Sequence, residues 1–565
     1  MLISSPPEDV IVVGGGLAGI CAAIAAVEKG ASSVTVLDRH CGGGASAISG
    51  GIVYAGGGTR TQREAGYGED TADNMFRYLR EEVDFAAVDE ETLRRFCDES
   101  VARMEWLESH GAKFGGPLCP YRTSYPKPEY GLLYTGSEKA YPYCEKATPA
   151  PRGHRTNGKG SGAMKYTGGD LWRPLFESAL KMGVKFQPAT RVQAFIRDDV
   201  DGHVKGVVYR CFYHSTGLRA KLYKWFAETG KEYEPHLRPL ARLLNGVAEL
   251  IWKYGAKHVT SLESRAVILA AGGFIRNKSM LQESCPNAAG LATHGTSTTG
   301  DDGSGIKLGQ SAGGAVSHLD RVSGWRFMYA PEAFLEGVIV GPGGERVGPE
   351  DHYGAAVCGN MIQHSGGKGY LILDSTQWSK VKSNVDEQTH SLWRMLVRYL
   401  LAFGHKKATT LEALAMSFKI DPGKLKYTVK EYNDAIANKQ PDPVRKQDQY
   451  RSPIVSPPFY GIDISIRDDG LMMVPAITLG GLRVDGRSGM VLNQAGQPPP
   501  RLYAAGRTAA GVCSNNYVTG LSLADCVFSG KRAGEHAAHS LPEVRDSRPR
   551  EALPVSTYND LPSVL

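Results

Sequence analysis

Three glycines and an acid stand at spacings that suit the binding of a dinucleotide. They are Gly14, Gly16 and Gly19, within Gly14-Gly15-Gly16-Leu17-Ala18-Gly19, and Asp38 further on. In such a unit the first glycine makes the tight turn, the second admits the pyrophosphate and the third lets helix and strand close up. The helix start offers unpaired N–H groups and a partial positive charge to the phosphates. Asp38 is placed to accept hydrogen bonds from a ribose. No other grouping competes for chemistry. The ten cysteines are scattered without a C-x-x-C pair, so neither zinc nor a disulfide framework is expected. His318, His352 and His405 belong to no acid–histidine–nucleophile grouping and read as packed or surface residues.

The elements around these glycines have the required order. Val10–Val13 reads as a buried strand, Ile20–Val27 as a helix and Val34–Leu37 as a second strand closed by Asp38. Gly42–Ser46, Ser49-Gly50-Gly51 and Gly56–Thr59 follow, small enough for close backbone approach to a flat ligand. Thr71–Ser109 reads as helices, and Pro117–Arg152 as irregular. Gly168–Met182 reads as a helix, and Val184–Phe186, Thr190–Val192 and Val204–Arg210 as strands. Arg265–Phe274 is a buried strand ending in a second Gly turn. Lys278 to about Pro457 has a different texture, with helices over Thr410–Phe418 and Pro422–Asn438. From Phe459 the first pattern returns, through Arg501–Gly506 and an apolar helix over Leu521–Ala538 carrying Gly530 and Gly534. A dinucleotide domain interrupted and then completed in this way suits FAD better than NAD. The fold expected is α/β: a Rossmann-like FAD-binding domain (1–277 and 458–565) with an inserted α+β catalytic or capping domain (278–457) and a helical hairpin insertion (211–258).

The 565 residues are enough for two or more large domains. A hydrophobic content of 42% and a charged content of 22% are ordinary for a folded soluble chain. The net charge of +6 is modest, and its location matters more. Between Cys211 and His258 eight lysines and arginines face four glutamates, so little is left elsewhere to attract nucleic acid. The first strand begins too early to leave room for a signal peptide, and no apolar run spans a bilayer. A cytoplasmic protein is expected.

In order along the chain stand the fingerprint, the Gly/Ser loop, Ala270-Ala271-Gly272-Gly273-Phe274, Gly300-Asp301-Asp302-Gly303, Thr478-Leu479-Gly480-Gly481 and Tyr503-Ala504-Ala505-Gly506-Arg507. This resembles the fumarate reductase/succinate dehydrogenase flavoprotein superfamily over nearly the whole chain except Cys211–His258. Ser49–Thr59, Pro151–Arg155, Tyr329-Ala330-Pro331-Glu332 and Asn516-Tyr517-Val518-Thr519-Gly520 are similar to the 3-ketosteroid dehydrogenases, most of all the Δ4-(5α) branch. Two departures separate it from other branches. Gly506–Gly530 holds no His and only Arg507, so it lacks the cationic clamp of the fumarate reductases. No His stands in Gly42–Ser49, where another branch attaches its flavin, so FAD is expected to be non-covalent. Thr519 replaces the serine of the branch's Tyr-x-Ser-Gly.

The resemblance implies cofactor contacts at Gly14, Gly16, Leu17, Ala18, Gly19, Asp38 and Arg39. It implies others at Gly44, Ala45, Ser46, Ser49, Gly50, Gly51 and Val192. Ala271, Gly272, Gly273, Gly506, Leu521, Ser522 and Leu523 complete the set. The implied reaction desaturates a 3-ketosteroid ring, with hydride going to the flavin and a proton leaving the carbon next to the ketone. Tyr517 is the candidate donor to the carbonyl oxygen, with backbone N–H groups at Gly520 and Leu521. Thr519 is the candidate proton acceptor and Tyr329 the candidate relay to solvent. A Tyr hydroxyl, with a pKa of about 10, is a donor before it is a base. The rival readings are a Δ1-dehydrogenase, an ene-reductase of the fumarate reductase type and a flavin-binding module without a substrate. The electron acceptor is not identified by any motif, since no second fingerprint follows a strand.

Leu218–Phe226 and Leu237–Tyr254 read as two amphipathic helices broken over Gly230–Pro235. Their aromatic residues beside Lys and Arg suit a helix pair lying on a membrane surface. A dimer contact or a lid packed on the core suits them equally.

Overall fold

The computed structural model describes residues 7–123, 126–160, 165–198, 202–234, 237–286, 288, 297–324, 330–466 and 476–540. Tyr329, the expected relay, lies outside them.

Continuous apolar runs become the central strands of a sheet covered on both faces. Glu8–Val13 lies between Val34–Leu37 and His258–Leu269, parallel to both. Lys185–Gln187 extends one side, and Leu502–Ala504 adds in parallel to His258–Leu269. The last of these long partners belongs to two layers. Its second half sits in the parallel sheet, while its first half pairs antiparallel with Val204–Cys211, which pairs in turn with Thr190–Arg197. The helix Leu17–Glu28 packs on the C-terminal helix Leu521–His539. The small residues of that second helix explain the approach: Cβ atoms at Gly530 and Gly534 would stand 2.4 and 2.1 Å from the carbonyl oxygens of Ala18 and Ala22.

A second body carries its own four-stranded antiparallel sheet, in the order Val338–Val340, Tyr370–Leu373, Phe459–Asp463, Lys406–Ala408. Helices Ser375–Gln388, Ser391–Ala402, Leu411–Phe418 and Pro422–Ala437 accompany it. The last begins as a Pro-started helix should, with the Asp421 side chain accepting the Lys424 N–H at 2.7 Å. This sheet corrects the expected boundary at 457. Phe459–Asp463 pairs with Tyr370–Leu373 and so shares the sheet of the second body.

The hairpin forms as two helices, Leu218–Tyr233 and Arg238–Gly255, between the strands Val204–Cys211 and His258–Leu269. Gly230 does not break the first helix. A Cβ there would lie 2.4 Å from Asn245 Oδ1, so the glycine admits a close approach of the second helix.

Candidate active site

The carboxyl ends of the parallel strands open onto one long cavity, where α/β sheets place their ligands. Gly14, the turn after the first strand, has φ +108°, and a Cβ would meet the Ala270 carbonyl oxygen at 2.4 Å. At Gly16 the nearest atom to such a Cβ is Gly43 O at 3.9 Å, so the position faces open space. The loop Gly42–Ala47 is held across it by Gly43 N–H on Gly15 O at 2.9 Å. Trp172 Nε1–H binds the same oxygen at 3.0 Å. Arg507, also on the lining, pairs with Asp301 at 2.7 Å, while its Nη1 is buried with no hydrogen-bond partner. A helix start that leaves open space at Gly16, in a cavity also lined by Arg507, fits a pyrophosphate.

Most of the residues expected to touch the cofactor line this cavity: Gly14, Gly16, Leu17 and Ala18; Asp38 and Arg39; Gly44–Ser46 and Ser49–Gly51; Val192; Ala271 and Gly272; Gly506, Ser522 and Leu523. Three do not. Gly19 is closed off by packing, its Cβ position 1.9 Å from Gly14 O. Gly273 is turned to Asp301 and Thr478. Leu521 is fully buried, and its N–H donates to Val518 O at 3.0 Å, so that group is not offered to a substrate carbonyl either. Asp38 is on the wall, with its carboxylate already accepting the N–H groups of Gly15, His40 and Gly42 at 2.8, 2.8 and 3.0 Å. It thereby holds the loop.

At the far end Tyr517, Thr519 and Gly520 form one wall. Gly520 caps the C-terminal helix with φ +92°, which turns the loop back onto Tyr54: Tyr54 N–H binds Gly520 O at 3.1 Å. Thr519 N–H binds Thr135 O at 3.1 Å. The Thr519 hydroxyl is hydrogen-bonded to the hydroxyl of Tyr353, whose ring centroid is 6.5 Å from that of Tyr517. Sequence reasoning missed Tyr353. It precedes the helix Gly354–Ser365 in the second body, and nothing in its spacing distinguishes it among 26 tyrosines. The histidines do not enter the wall. His352 bonds to Tyr141 O at 2.8 Å, His405 packs on Trp378 and His318 lies 3.4 Å from Asp84.

The segment Pro151–Arg155 supports this wall from behind. Arg152 makes a fully buried pair with Asp70 at 2.7 Å and reaches towards the Tyr54 hydroxyl at 3.5 Å. His154 Nε2 meets Thr59 Oγ1 at 2.7 Å, and burial lowers its pKa to about 4, so it is neutral.

The hairpin covers the other end. Tyr223 O–H donates to Arg39 O at 2.7 Å, Lys231 Nζ to Gly42 O at 3.0 Å, and Glu228 accepts the Cys41 N–H at 3.2 Å. Its inner face is a lid on the core. Its outer face leaves Leu218, Leu222, Trp225, Leu243, Leu250 and Tyr254 exposed.

Residues 9–523 match the family described as FAD binding domain. The chain is 34% identical to the 3-oxo-5-alpha-steroid 4-dehydrogenase of Comamonas testosteroni, over 89% of this chain and 93% of that one. The 3-ketosteroid-Δ4-(5α)-dehydrogenase of Rhodococcus jostii, solved with 4-androstene-3,17-dione, superposes with a TM-score of 0.77 at 29% identity, covering 95% and 98% of the two chains. The 3-ketosteroid Δ1-dehydrogenase of Sterolibacterium denitrificans shares the fold, with a TM-score of 0.63 at 19% identity over 94% and 100%.

Proposed function

Because the chain belongs to the FAD binding domain family and is an FAD-dependent oxidoreductase, we propose that it desaturates a 3-ketosteroid at the Δ4-(5α) position. The observation that carries this reading is Tyr517 and Thr519 on the lining of the cofactor cavity, with the buried Tyr353 hydrogen-bonded to Thr519. When bound, FAD supplies a two-electron acceptor for hydride. The chain's residues manage the proton and the carbonyl. Tyr517 O–H donates to the ketone oxygen and stabilises the charge that builds there, which acidifies the neighbouring C–H. Gly520 N–H is the backbone donor beside it. Thr519 Oγ1 receives the proton, and the hydrogen bond to Tyr353 carries it away from the ring. The cofactor contacts are those on the cavity wall, and FAD is held without a covalent bond.

The test is anaerobic flavin absorbance with a 5α-saturated 3-ketosteroid and a 4-ene-3-ketosteroid added separately. Bleaching by the saturated compound, with a 4-ene product, is expected. Bleaching only by the 4-ene, giving a 1,4-diene, moves the assignment to Δ1, and none by either overturns steroid oxidation.

The outer face of the hairpin supports a second element of the proposal, docking on an anionic membrane from which a sterol partitions. Exposed Leu and Trp run beside Arg219, Lys221, Arg242, Lys253 and Lys257, the arrangement of an interfacial helix pair. No described helix is long and apolar enough to cross a membrane. Replacing Leu243 and Leu250 with Ser is expected to lower co-sedimentation with anionic vesicles about tenfold or more. Unchanged partitioning rules the docking out.

A further inference from the structure

The loop that carries Tyr517 and Thr519 is pinned to a turn about 430 positions earlier in the chain. Ser514 Oγ accepts the Asp84 N–H at 3.3 Å, and Asn516 N–H donates to Glu82 O at 3.1 Å. Between them Arg321 bridges Asp84 at 2.8 Å and Asn515 at 2.5 Å. All three residues leading into the wall are therefore tied to Glu82–Asp84. The Glu82 side chain takes part as well. It is buried and accepts Tyr78 O–H at 2.7 Å, and the neighbouring side chains of Asn516 and Tyr143 favour its charged form. None of these partners is a cation.

We propose that Glu82 is a positioning residue for the reaction: its carboxylate fixes Tyr78, whose hydroxyl accepts the Ser137 N–H at 3.0 Å, and Ser137 Oγ accepts the N–H of Tyr353, the partner of Thr519, at 2.9 Å. Tyr517 and Thr519 are thereby kept in register with the substrate. The proposal rests on the reading of those two residues as the reacting wall. An ionised carboxylate can accept from Tyr78, Tyr143 and Asn516 together. The protonated acid gives up acceptor capacity and adds a donor among donors. Burial pushes this carboxyl up to about 7, with the help of Glu138 and against the donors Tyr78, Asn516 and Tyr143. Glu138 is itself buried, with Oε2 on the Gly136 N–H at 2.9 Å and Oε1 unpartnered. The titratable groups facing Glu82 are thus Tyr78 on the preceding helix, Tyr143 on the helix Tyr143–Lys146 and Glu138 on the segment between. The carboxylate form is lost as pH falls through about 7, and register is lost with it.

The experiment follows flavin reduction against pH in the FAD-loaded full chain, with the 3-ketosteroid that bleaches the wild type. Alongside it, the flavin absorbance maximum and the infrared carboxylic-acid band are titrated without substrate. The wild type is expected to lose about tenfold in rate below an acid limb. Glu82→Gln lies at the acid plateau at all pH, with KM within about twofold. Tyr143→Phe removes a donor to the charged form and moves the limb up. Glu138→Gln removes a like charge and moves it down. A Glu82→Gln enzyme with the wild-type rate and limb overturns the proposal, as does a limb that neither neighbour moves. If no steroid bleaches the wild type, the assignment of substrate fails by itself. The proposal then stands or falls on whether the flavin band and the carboxylic-acid band titrate together and are both lost in Glu82→Gln.

Discussion

Tyr517→Phe is expected to slow steroid-driven flavin reduction by about 10²–10³-fold, the loss seen when one preorganised donor to a developing oxyanion is removed. The hydroxyl is the only side-chain donor placed at the ketone by this reading, and the ring stays to fill its space. Steroid affinity is therefore expected to stay within a few-fold, and the effect to fall on kcat. Gly520 N–H keeps some activity, since it belongs to a backbone held by Tyr54. Thr519→Ala removes the proton acceptor and is expected to cost a comparable factor, about 10²-fold or more. Thr519→Ser keeps the oxygen and is expected to remain close to the wild type. Stopped-flow reduction under anaerobic conditions separates the cases. A Tyr517→Phe enzyme that loses only affinity would mean that the phenol binds substrate without taking part in the reaction.

Arg152→Met is expected to destabilise the fold by about 3–5 kcal/mol, because it leaves Asp70 charged and buried without its partner. The pair is closed to solvent, with side-chain exposures of 0% and 1%. Asp70 binds both Nε and Nη2 of the guanidinium, at 3.0 and 2.7 Å, and also takes donors from Gln62 and Asn74. Burial by itself raises the Asp70 carboxyl. Arg152, Asn74 and Gln62 more than offset it and hold the pKa below the ordinary value. A carboxyl depressed in the folded state stabilises the protein above its unfolded pKa of about 3.9, and that contribution disappears as pH falls through the folded value. The wild type should lose stability there in acid, while Arg152→Met should show a smaller slope. Adding Asp70→Leu to Arg152→Met is expected to recover part of the loss, since no buried charge remains. Urea unfolding followed by far-ultraviolet circular dichroism measures both, and a single variant as stable as the wild type would refute the argument.

The cofactor half of the molecule was legible because its signals are local. Gly14, Gly16, Gly19 and Asp38 lie within 25 residues, and each answers to one turn or one contact. The reacting wall was legible only in part. Tyr517, Thr519 and Gly520 sit in one short segment, but Tyr353 reaches Thr519 from 166 positions away, a distance over which no spacing rule operates. Leu521 looked like a backbone donor because it opens a helix, and only the folded turn shows its N–H satisfied by Val518 O. Gly230 looked like a break for the ordinary reason that glycine weakens helices. The approach of Asn245 reverses that reading. Phe459 resembled a return to the first domain, and a short strand buried along almost its whole length cannot announce which sheet will take it.

The long strand His258–Leu269 has a consequence for how the protein is made. Glu8–Val13 meets one partner in Val34–Leu37 early, but its other neighbour comes about 250 residues later, and Leu502–Ala504 joins last. At a synthesis rate of about 5–20 residues per second, some half a minute or more separates the first strand from the last. Such distant pairings are slow to form, and the unpaired edge stays open meanwhile. The cofactor cavity is lined by Gly14 and also by Gly506 and Thr519, so its walls come together only after the chain has been made past residue 519. FAD capture is therefore expected to follow synthesis of that segment, and chains arrested before residue 500 are expected not to retain FAD.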